Sequence, residues 1–390
     1  MRRFLYVLIT TIIALVSLCG LVLPAFLPQA EEPHQVAMVQ KSKVTPPKAV
    51  PPKAEPPAPK PTEPSVEGLR KAPLAVRGIY ITSWTAGSSR MAELISFVKK
   101  QGLNAVVIDL KDDLGYVSYK TQTSLGQKIG AGTKRISNLE ELLAQLQAQG
   151  IYTIARIVAF KDPLLAQKRP DLAFQAKSGG LWRDRRGHSW VSPYSREVWE
   201  YLLALGKEAL DLGFAEVQYD YVRFPSDGKL ANLVYPEGGA KSEKIGEFLS
   251  FATGAIHSYS PRALVSADTF GLAGTAIDDL GIGQKIEALD GTADYLSPMA
   301  YPSHYAVGSY GLANPNANPY QTILKSLEDH QKRLGKSRLR PWLQAFTLGS
   351  PAYGPSQMAA QIKALRELGI EEYLLWNPAS RYGAIAGGLK

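Results

Sequence analysis

Eight short apolar runs rich in β-branched and aromatic residues, separated by longer amphipathic stretches, constrain the fold of this chain more than any other feature. Helical periodicity occupies the stretches between them, as in residues 91–101, 138–149, 195–212 and 355–368. Gly102, Gly150, Gly213 and Gly369 each lie at the end of such a stretch, where a helix C-terminal cap is expected. We therefore predict strands at residues 78–82, 105–109, 152–158, 215–220, 264–268, 295–301, 342–346 and 373–376.

Strands and helices that alternate in this way are typical of two α/β architectures. One is the (β/α)8 or TIM barrel, in which eight parallel strands close into a cylinder inside a ring of helices. The other is an open, doubly wound sheet, but no glycine-rich phosphate loop follows the first strand of this chain. Residues 73–390 are therefore predicted to form one (β/α)8 domain.

The first 30 residues have the composition of a membrane segment. No charged residue occurs from position 4 to position 27, and Arg2 and Arg3 precede this run. The run is long enough to cross a bilayer as a transmembrane helix, and its basic flank predicts a cytoplasmic N-terminus. A signal anchor fits this length better than a cleaved signal peptide, and Leu18 is too bulky for a lipoprotein signal at Cys19. Each alternative exports the rest of the chain, so we expect an extracytoplasmic protein, anchored to the cell membrane or secreted after cleavage.

Residues 31–72 are rich in Pro, Lys, Ala and Glu. A segment of this composition cannot bury enough apolar surface to offset the entropy lost on ordering. We expect an extended, semi-stiff linker that holds the folded domain away from the membrane. A disordered tail without a role is the alternative.

Charge and residue spacing argue against several classes of protein. Nine basic and five acidic residues lie within residues 1–71, and no basic cluster in the rest of the chain marks a nucleic-acid site. Cys19 is the only cysteine, so the predicted barrel has no disulfide, thiolate zinc site or cysteine nucleophile. The five histidines lack His-x-His and His-Glu-x-x-His spacing, and no Gly-x-Ser-x-Gly elbow occurs. We therefore predict chemistry without a metal or a cofactor.

The carboxylates at strand ends are the candidates for chemistry, because reactive residues of (β/α)8 enzymes lie at the carboxyl ends of the strands. Asp109, Asp220 and Asp268 end the predicted strands 2, 4 and 5. Acids that begin strands are expected at the opposite end of the barrel, where they would serve stability; these are Glu216, Asp294, Glu371 and Glu372.

The alternation of side chains along strand 4 predicts which of them face inward. Gln218 and Asp220 share one face of this strand, and Val217 and Tyr219 share the other. If the apolar pair packs against the helices, Gln218 and Asp220 point into the barrel.

Buried carboxylates require cationic partners. The alternation that places Asp220 inside the barrel also places Asp109 and Lys111 on one face of strand 2. We expect Lys111, Arg156 and Arg223 to hold Asp220 in its ionised form. The alternative is that Asp220 and Arg223 form only a structural ion pair.

Aromatic residues at predicted strand ends, or in the loops that follow them, are the second functional signal. Sugar rings have apolar faces that stack on aromatic side chains, and their hydroxyls need polar groups nearby. Each of these residues alone is typical of ordinary packing, but together they favour a carbohydrate cleft over a hydrophobic-ligand pocket; they are Trp84, Trp182, Trp190, Tyr301, Tyr305 and Trp376.

Several segments occur in an order that identifies a family. They read VIDLKDD at 107–113, EVQYDYVRFP at 216–225, SADTFG at 266–271, SPMAYPSHY at 297–305, PWLQ at 341–344 and LWN at 375–377. From residue 76 to the C-terminus, the chain closely resembles the bacterial family described as a "putative glycosyl hydrolase domain". The resemblance implies a (β/α)8 barrel related to polysaccharide-cleaving enzymes. One departure is Ala345, at a position that is often acidic in the family.

The resemblance extends to enzymes of known chemistry. The spacing is similar to that of the alpha-amylase and alpha-galactosidase groups, where an Asp that ends strand 4 is the nucleophile. By position, this implies that Asp220 is the nucleophile and Asp268 the general acid/base. Tyr301 and Trp376 are similar to residues of chitinase-like barrels, but those enzymes carry a catalytic Glu at the end of strand 4, which this chain lacks.

We therefore predict a glycoside hydrolase that cleaves an extracellular or cell-wall-associated polysaccharide, with Asp220 as nucleophile or base and Asp268 as general acid. Two other classes remain open: a non-catalytic glycan-binding barrel of the cell envelope, and a structural envelope protein that binds no saccharide. Substrate contacts are predicted for Asp109, Lys111, Arg156, Trp190, Gln218, Arg223, Tyr301, His304, Gln344 and Trp376.

Overall fold

The computed structural model describes residues 71–72 and 74–389. The predicted membrane segment at 1–30 and the linker at 31–72, except for its last two residues, lie outside the described residues. In the part of the chain that is described, no helix combines the length and the apolar character needed to cross a membrane.

Eight parallel strands of the described chain form a closed barrel. Each strand pairs with the next one along the chain, and the last pairs with the first. This closure confirms the predicted (β/α)8 barrel and excludes the open, doubly wound sheet. The strands are β1 (Arg77–Ile81), β2 (Ala105–Lys111), β3 (Tyr152–Val158), β4 (Glu216–Asp220), β5 (Leu264–Phe270), β6 (Tyr295–Ala300), β7 (Trp342–Gln344) and β8 (Tyr373–Trp376).

Ten α-helices lie between or after these strands in the described residues. Four of them, α2, α4, α6 and α10, match the predicted helices to within one residue at each end. Gly102, Gly150, Gly213 and Gly369 follow these helices with φ of 68°, 70°, 110° and 69°, a conformation that glycine adopts without a steric penalty. The helices are α1 (Ser83–Ala86), α2 (Arg90–Lys100), α3 (Ser124–Ile129), α4 (Leu139–Ala148), α5 (Pro163–Lys168), α6 (Arg196–Leu212), α7 (Lys241–Tyr259), α8 (Ile286–Leu289), α9 (Pro319–Arg333) and α10 (Pro355–Glu367).

The faces of β4 divide as the alternation predicts. Val217 and Tyr219 belong to the core between the strands and the helices, where the Tyr219 ring lies 5.2 Å from that of Phe248 on α7. Gln218 and Asp220 lie on the opposite face, and both are buried. A separate apolar cluster fills the barrel interior, with side chains such as Val107, Ile154, Leu264 and Leu374.

Acids at the beginning of strands form a buried ion-pair network at the amino end of the barrel. Arg340 donates to both oxygens of Glu216, at 2.7 and 2.9 Å, and to Glu372 at 3.0 Å. Its guanidinium also lies 3.7 Å from the centre of the Tyr295 ring. Asp294 accepts a hydrogen bond from the backbone N–H of residue 265 at 2.8 Å. These contacts support the structural role expected for Glu216, Glu372 and Asp294. Glu371, the fourth acid expected at this end, is exposed.

The loops that follow β3 and β4 meet beside the carboxyl end of the barrel. Gln175–Ala176 and Leu233–Val234 pair there as a small antiparallel sheet. The β3 loop continues through Trp190, whose ring lies 5.7 Å from that of Tyr221 in the loop after β4. These loops therefore form one wall beside the ends of β3 and β4.

Candidate active site

A cavity of about 430 Å³ lies at the carboxyl end of the barrel. Its volume falls within the roughly 300–1,000 Å³ that is typical of small-molecule sites. Asp220 and Asp268, the two predicted catalytic acids, both line it. The complete lining comprises Arg156, Asp220, Tyr221, Arg223, Asp268, Phe270, Gly271, Leu272, Met299, Tyr301, His304, Tyr305, Trp342 and Trp376.

Asp220 is the last residue of β4, and three protein N–H groups hold its carboxylate. Arg156 on β3 donates to Oδ2 from Nε at 3.0 Å and from Nη2 at 2.5 Å. The backbone N–H of Tyr221 donates to Oδ1 at 2.6 Å. Two of these three donors belong to a guanidinium, and a charged donor forms its strongest hydrogen bonds with a carboxylate.

The backbone turns sharply immediately after this carboxylate. Tyr221 has a φ of 50°, in the left-handed region that a bulky side chain rarely adopts. Such a conformation costs on the order of 1–2 kcal/mol. It accompanies the hydrogen bond to Asp220 and places the Tyr221 side chain at the cavity wall.

Arg156 also contacts Asp109 on β2, so one guanidinium bridges two carboxylates. Its Nη1 donates to Asp109 Oδ1 at 2.6 Å, and the Tyr80 hydroxyl donates to Asp109 Oδ2. Burial raises the pKa of Asp109, against the opposing effect of the Arg156 charge. Burial acts to lower the pKa of Arg156, but the charges of Asp220 and Asp109 outweigh it and raise that pKa well above its usual value. Asp109 does not line the cavity, and its contacts orient Arg156 toward Asp220.

Asp268 lies on β5, the strand next to that of Asp220. Tyr219 pairs with Ala267 in the parallel register, so the two acids come from adjacent strands. Neighbouring strands of a sheet are spaced about 4.8 Å apart. The indole N–H of Trp342 donates to Asp268 Oδ1 at 2.7 Å. Burial, and then the negative charge of Asp220, raises the pKa of Asp268 well above its ordinary value.

The two acids therefore have different environments within one cavity. Asp220 contacts a guanidinium and a backbone N–H, whereas the contact of Asp268 is a neutral indole. A pair of carboxyl groups with environments that differ in this way can divide the roles of base and acid. Oδ1 of Asp268 is occupied by Trp342, which leaves Oδ2 as the oxygen that can carry a proton.

Aromatic side chains form the wall beside these acids. Trp376 stacks on Tyr80 with ring centres 4.0 Å apart and meets Trp342 edge-on at 5.5 Å. Tyr301 lies 5.6 Å from Phe346. Burial, and then the negative charge of the nearby Asp268, raises the pKa of Tyr301 well above its ordinary value, so its hydroxyl keeps its proton. The cavity thus combines apolar ring faces with hydrogen-bonding groups.

The loop after β6 carries His304 to the cavity. Gln344 on β7 supports this loop, because its Oε1 accepts a hydrogen bond from the backbone N–H of Ser303 at 3.0 Å. Burial lowers the pKa of His304, which favours the neutral imidazole. Gln344 itself is buried outside the cavity lining, where it supports this loop.

Lys111 does not reach Asp220. A β-bulge between Asp109 and Lys111 changes the register with β3, so strict alternation no longer holds at the end of β2. The ammonium group instead contacts Asp162 at 2.9 Å and donates to the carbonyl of Val158 at 2.7 Å. This geometry corrects the expectation that Lys111 holds Asp220 ionised.

Several other predicted residues also lie away from the cavity lining. Gln218 is fully buried inside the barrel, and Trp190 lies behind Arg223, with its indole N–H donated to Asp184 at 3.1 Å. Trp182 is buried and donates to a backbone carbonyl, whereas Trp84 is 67% exposed. Of the predicted aromatic residues, the ones that line the cavity are therefore Tyr301, Tyr305 and Trp376.

Two residues absent from the predicted site contact its acids directly. Tyr80 donates to Asp109, and Trp342 donates to Asp268. Both side chains belong to the cluster inside the barrel, so an alternation argument applied to β1 and β7 would have found them. As for metals, the described residues contain no group of three or more His, Cys, Asp or Glu side chains that could hold a metal ion.

Solved structures similar to this chain include glycoside hydrolase barrels. The glycoside hydrolase domain of PgaB (BpsB) from Bordetella bronchiseptica has a TM-score of 0.61 and 13% identity, over 79% of this chain and 95% of that chain. The alpha-galactosidase TtGalA from Thermus thermophilus has a TM-score of 0.50 and 15% identity, over 80% and 60%. At these identities the likeness shows a shared fold.

A hypothetical protein from Ruminiclostridium thermocellum ATCC 27405 is 37% identical over 49% of this chain and 96% of its own, with a TM-score of 0.45. No curated protein sequence matches the chain significantly. Residues 78–382 match the family described as "putative glycosyl hydrolase domain", a span that contains the whole barrel except its first residue. The chain is therefore a member of this glycosyl hydrolase family.

Proposed function

We propose that this protein hydrolyses glycosidic bonds, with Asp220 as nucleophile or base and Asp268 as general acid. The observation that carries the proposal is the contrast between the two carboxyl groups in one cavity. Asp220 is held by Arg156, whereas burial and the charge of Asp220 raise the pKa of Asp268. Family membership and the glycoside hydrolase barrels of similar fold support the same reaction class.

The reaction assigns one task to each acid. Asp268 transfers its proton to the glycosidic oxygen while the bond from that oxygen to the anomeric carbon breaks. As a nucleophile, Asp220 attacks the anomeric carbon and forms a covalent glycosyl-enzyme, which water then hydrolyses while Asp268 takes up the proton of that water. As a base, Asp220 instead removes a proton from the water that attacks the anomeric carbon directly. Arg156 orients the Asp220 side chain through hydrogen bonds in both cases.

The substrate that fits this site is a polysaccharide of the cell exterior or the cell wall. Trp376 and Tyr301 offer ring faces to a sugar, and Arg156 and His304 offer hydrogen-bonding groups beside them. The apolar run near the N-terminus supports a location outside the cytoplasm, with the barrel tethered to the membrane. The test begins with a broad set of such glycans.

The test measures the release of reducing ends from a panel of purified exopolysaccharides and wall glycans. We expect the wild type to cleave at least one of them, and Asp220→Asn and Asp268→Asn to lose nearly all of that activity. Asp211→Asn is the matched control, because Asp211 is exposed on α6 outside the cavity. Full activity of Asp220→Asn on a cleaved glycan would contradict the assignment.

A glycan-binding barrel without catalysis is the second candidate. The observation in its favour is that protein donors already occupy both oxygens of Asp220. Calorimetric binding of a glycan that the wild type does not cleave, retained in Asp220→Asn and Asp268→Asn, would select this function over hydrolysis.

A further inference from the structure

Arg223 is a second arginine that lines the cavity, three residues after Asp220. Its side chain is only 9% exposed. A buried cation is costly unless an anion compensates its charge. The position of Arg223 therefore raises the question of which anion it meets.

The described residues supply no carboxylate partner for Arg223. Nη1 donates to the carbonyl of Phe224 at 2.9 Å and to the hydroxyl of Ser226 at 3.3 Å, both neutral acceptors. Within the described chain, Nε and Nη2 have no acceptor, and these two groups form the edge of a guanidinium that binds carboxylate or phosphate in a bidentate manner. Burial lowers the pKa of Arg223, and the negative charges of nearby groups, among them Asp220, Asp227 and Asp184, only partly oppose this effect without forming an ion pair with it.

The other two buried arginines of the barrel interior are paired. Arg156 contacts Asp220 and Asp109, and Arg340 contacts Glu216 and Glu372. The expected ion pair between Arg223 and Asp220 does not form, because Asp220 contacts Arg156 while Arg223 donates to Phe224 and Ser226. The contrast leaves Arg223 as the cavity-lining cation whose charge is available to a ligand.

Three aromatic rings fix the position of this guanidinium. Its central carbon lies 4.9 Å from the ring centres of Trp190 and Tyr221, and 4.8 Å from that of Phe270. Ring faces attract a cation, but they do not neutralise its charge. The rings therefore hold Arg223 in one orientation without giving it a carboxylate partner.

The loop that carries Trp190 has an excess of positive charge, on side chains that lie outside the cavity lining. Residues 177–186 contain one acidic residue, Asp184, and four exposed basic residues. An excess of one sign raises the local concentration of ligands of the opposite sign. The basic residues are Lys177, Arg183, Arg185 and Arg186.

We propose that Arg223 recognises an acidic substituent, so that the glycan bound in this cavity carries a carboxylate or phosphate group next to the cleaved bond. The proposal rests on the glycan-cleaving function proposed above. It adds a substrate class, acidic polysaccharides, and a specificity-determining residue to that function.

The test compares pairs of substrates that differ only in charge. One arm uses oligosaccharides that contain hexuronic acid, and the same oligosaccharides after reduction of each carboxyl to a hydroxymethyl group. The other arm uses phosphate-substituted glycans and their dephosphorylated counterparts. We expect the wild type to show a kcat/KM roughly 10- to 100-fold higher for the acidic member of one pair, the range for hydrogen bonds to a charged group.

Substitutions of Arg223 test whether this residue causes the preference for the acidic substrate. Arg223→Gln should abolish it, Arg223→Lys should retain part of it, and Arg262→Gln should leave it unchanged. Arg262 is exposed and lies two residues before the amino end of β5, at the opposite end of the strand from the cavity lining. If Arg223→Gln does not fold, as judged by circular dichroism, the wild-type preference decides alone.

The outcomes separate this inference from the proposed function. Cleavage of neutral glycans at the same rate as acidic ones, or a preference that persists in Arg223→Gln, overturns the inference and leaves hydrolysis intact. Calorimetric binding that favours the acidic member of a pair, without turnover by the wild type, supports recognition by Arg223 and overturns hydrolysis.

Discussion

Replacement of Asp268 by Asn removes the proton that the proposed mechanism delivers to the leaving oxygen, but it preserves the local structure. The Asn side chain has nearly the same shape, and its carbonyl oxygen can still accept the indole N–H of Trp342, now 2.7 Å from Oδ1. The substitution therefore changes the proton donor more than it changes the packing of the barrel.

The size of the effect should depend on the leaving group. General acid catalysis contributes about 10²- to 10⁴-fold to a rate, so Asp268→Asn should lower kcat/KM by that factor on a natural glycan, whose leaving alcohol is a poor one. This corresponds to about 2.7–5.4 kcal/mol of transition-state stabilisation. An aryl glycoside of the same sugar, with an acidic phenol as leaving group, needs no proton from the enzyme. On this substrate Asp268→Asn should therefore lower kcat/KM by less than roughly 10-fold.

The pH dependence supplies a second readout with a defined sign. A general acid works in its protonated form, so kcat/KM falls as the pH rises through its pKa. Burial and the negative charge of Asp220 raise the pKa of Asp268, and the decline should therefore lie above the ordinary range of an aspartate. In Asp268→Asn this decline should be absent.

The assay is initial-rate kinetics on both substrates across the pH range, with circular dichroism to check the fold. Equal losses on the glycan and on the aryl glycoside would refute the acid role of Asp268. So would a basic limb of the pH profile that survives in Asp268→Asn.

Three further predictions concern binding and stability. Trp376→Ala should raise KM about 2- to 10-fold with a smaller change in kcat, because it removes a ring face from the cavity, and Trp376→Phe should restore part of the affinity. Arg340→Met leaves Glu216 and Glu372 buried without their counterion and should lower the free energy of unfolding by about 3–5 kcal/mol in urea, whereas exposed Arg262→Met should not. Burial lowers the pKa of His330 to about 4, so the unfolded chain binds its proton first as the pH falls. The free energy of unfolding should then decrease from pH 6.5 to pH 4 by up to about 3 kcal/mol, and His330→Gln should flatten this dependence. A urea transition with the same pH slope in both proteins would contradict the last prediction.

Much of the barrel was predictable because its signals are local. Alternation in β4 predicted that Gln218 and Asp220 face inward, and the structure places them there. Glycines after the helices predicted where each helix ends, since Gly150 and Gly213 adopt positive φ at those points. Periodicity and caps depend on neighbouring residues only, so they can be read along the chain.

The misplaced side chains depend on contacts that alternation does not encode. A bulge after Asp109 turns Lys111 toward Asp162. The apolar pattern of β2 does not predict the extra residue that such a bulge inserts into the strand. Trp342 meets Asp268 from two strands farther round the barrel, a contact set by closure. Sequence reasoning therefore located the acids and one of their cations, and the remaining partners required the three-dimensional arrangement.

The central claim is that a carboxylate at position 220 takes part in breaking the glycosidic bond. The direct measurement is the hydrolysis of an aryl glycoside or glycan by Asp220→Gly with and without added sodium azide, a small anion that can enter the space left by the carboxylate. The account predicts almost no activity without azide and restored turnover with it, detected as a glycosyl azide product by mass spectrometry. Wild-type activity of Asp220→Gly in the absence of azide would contradict the account.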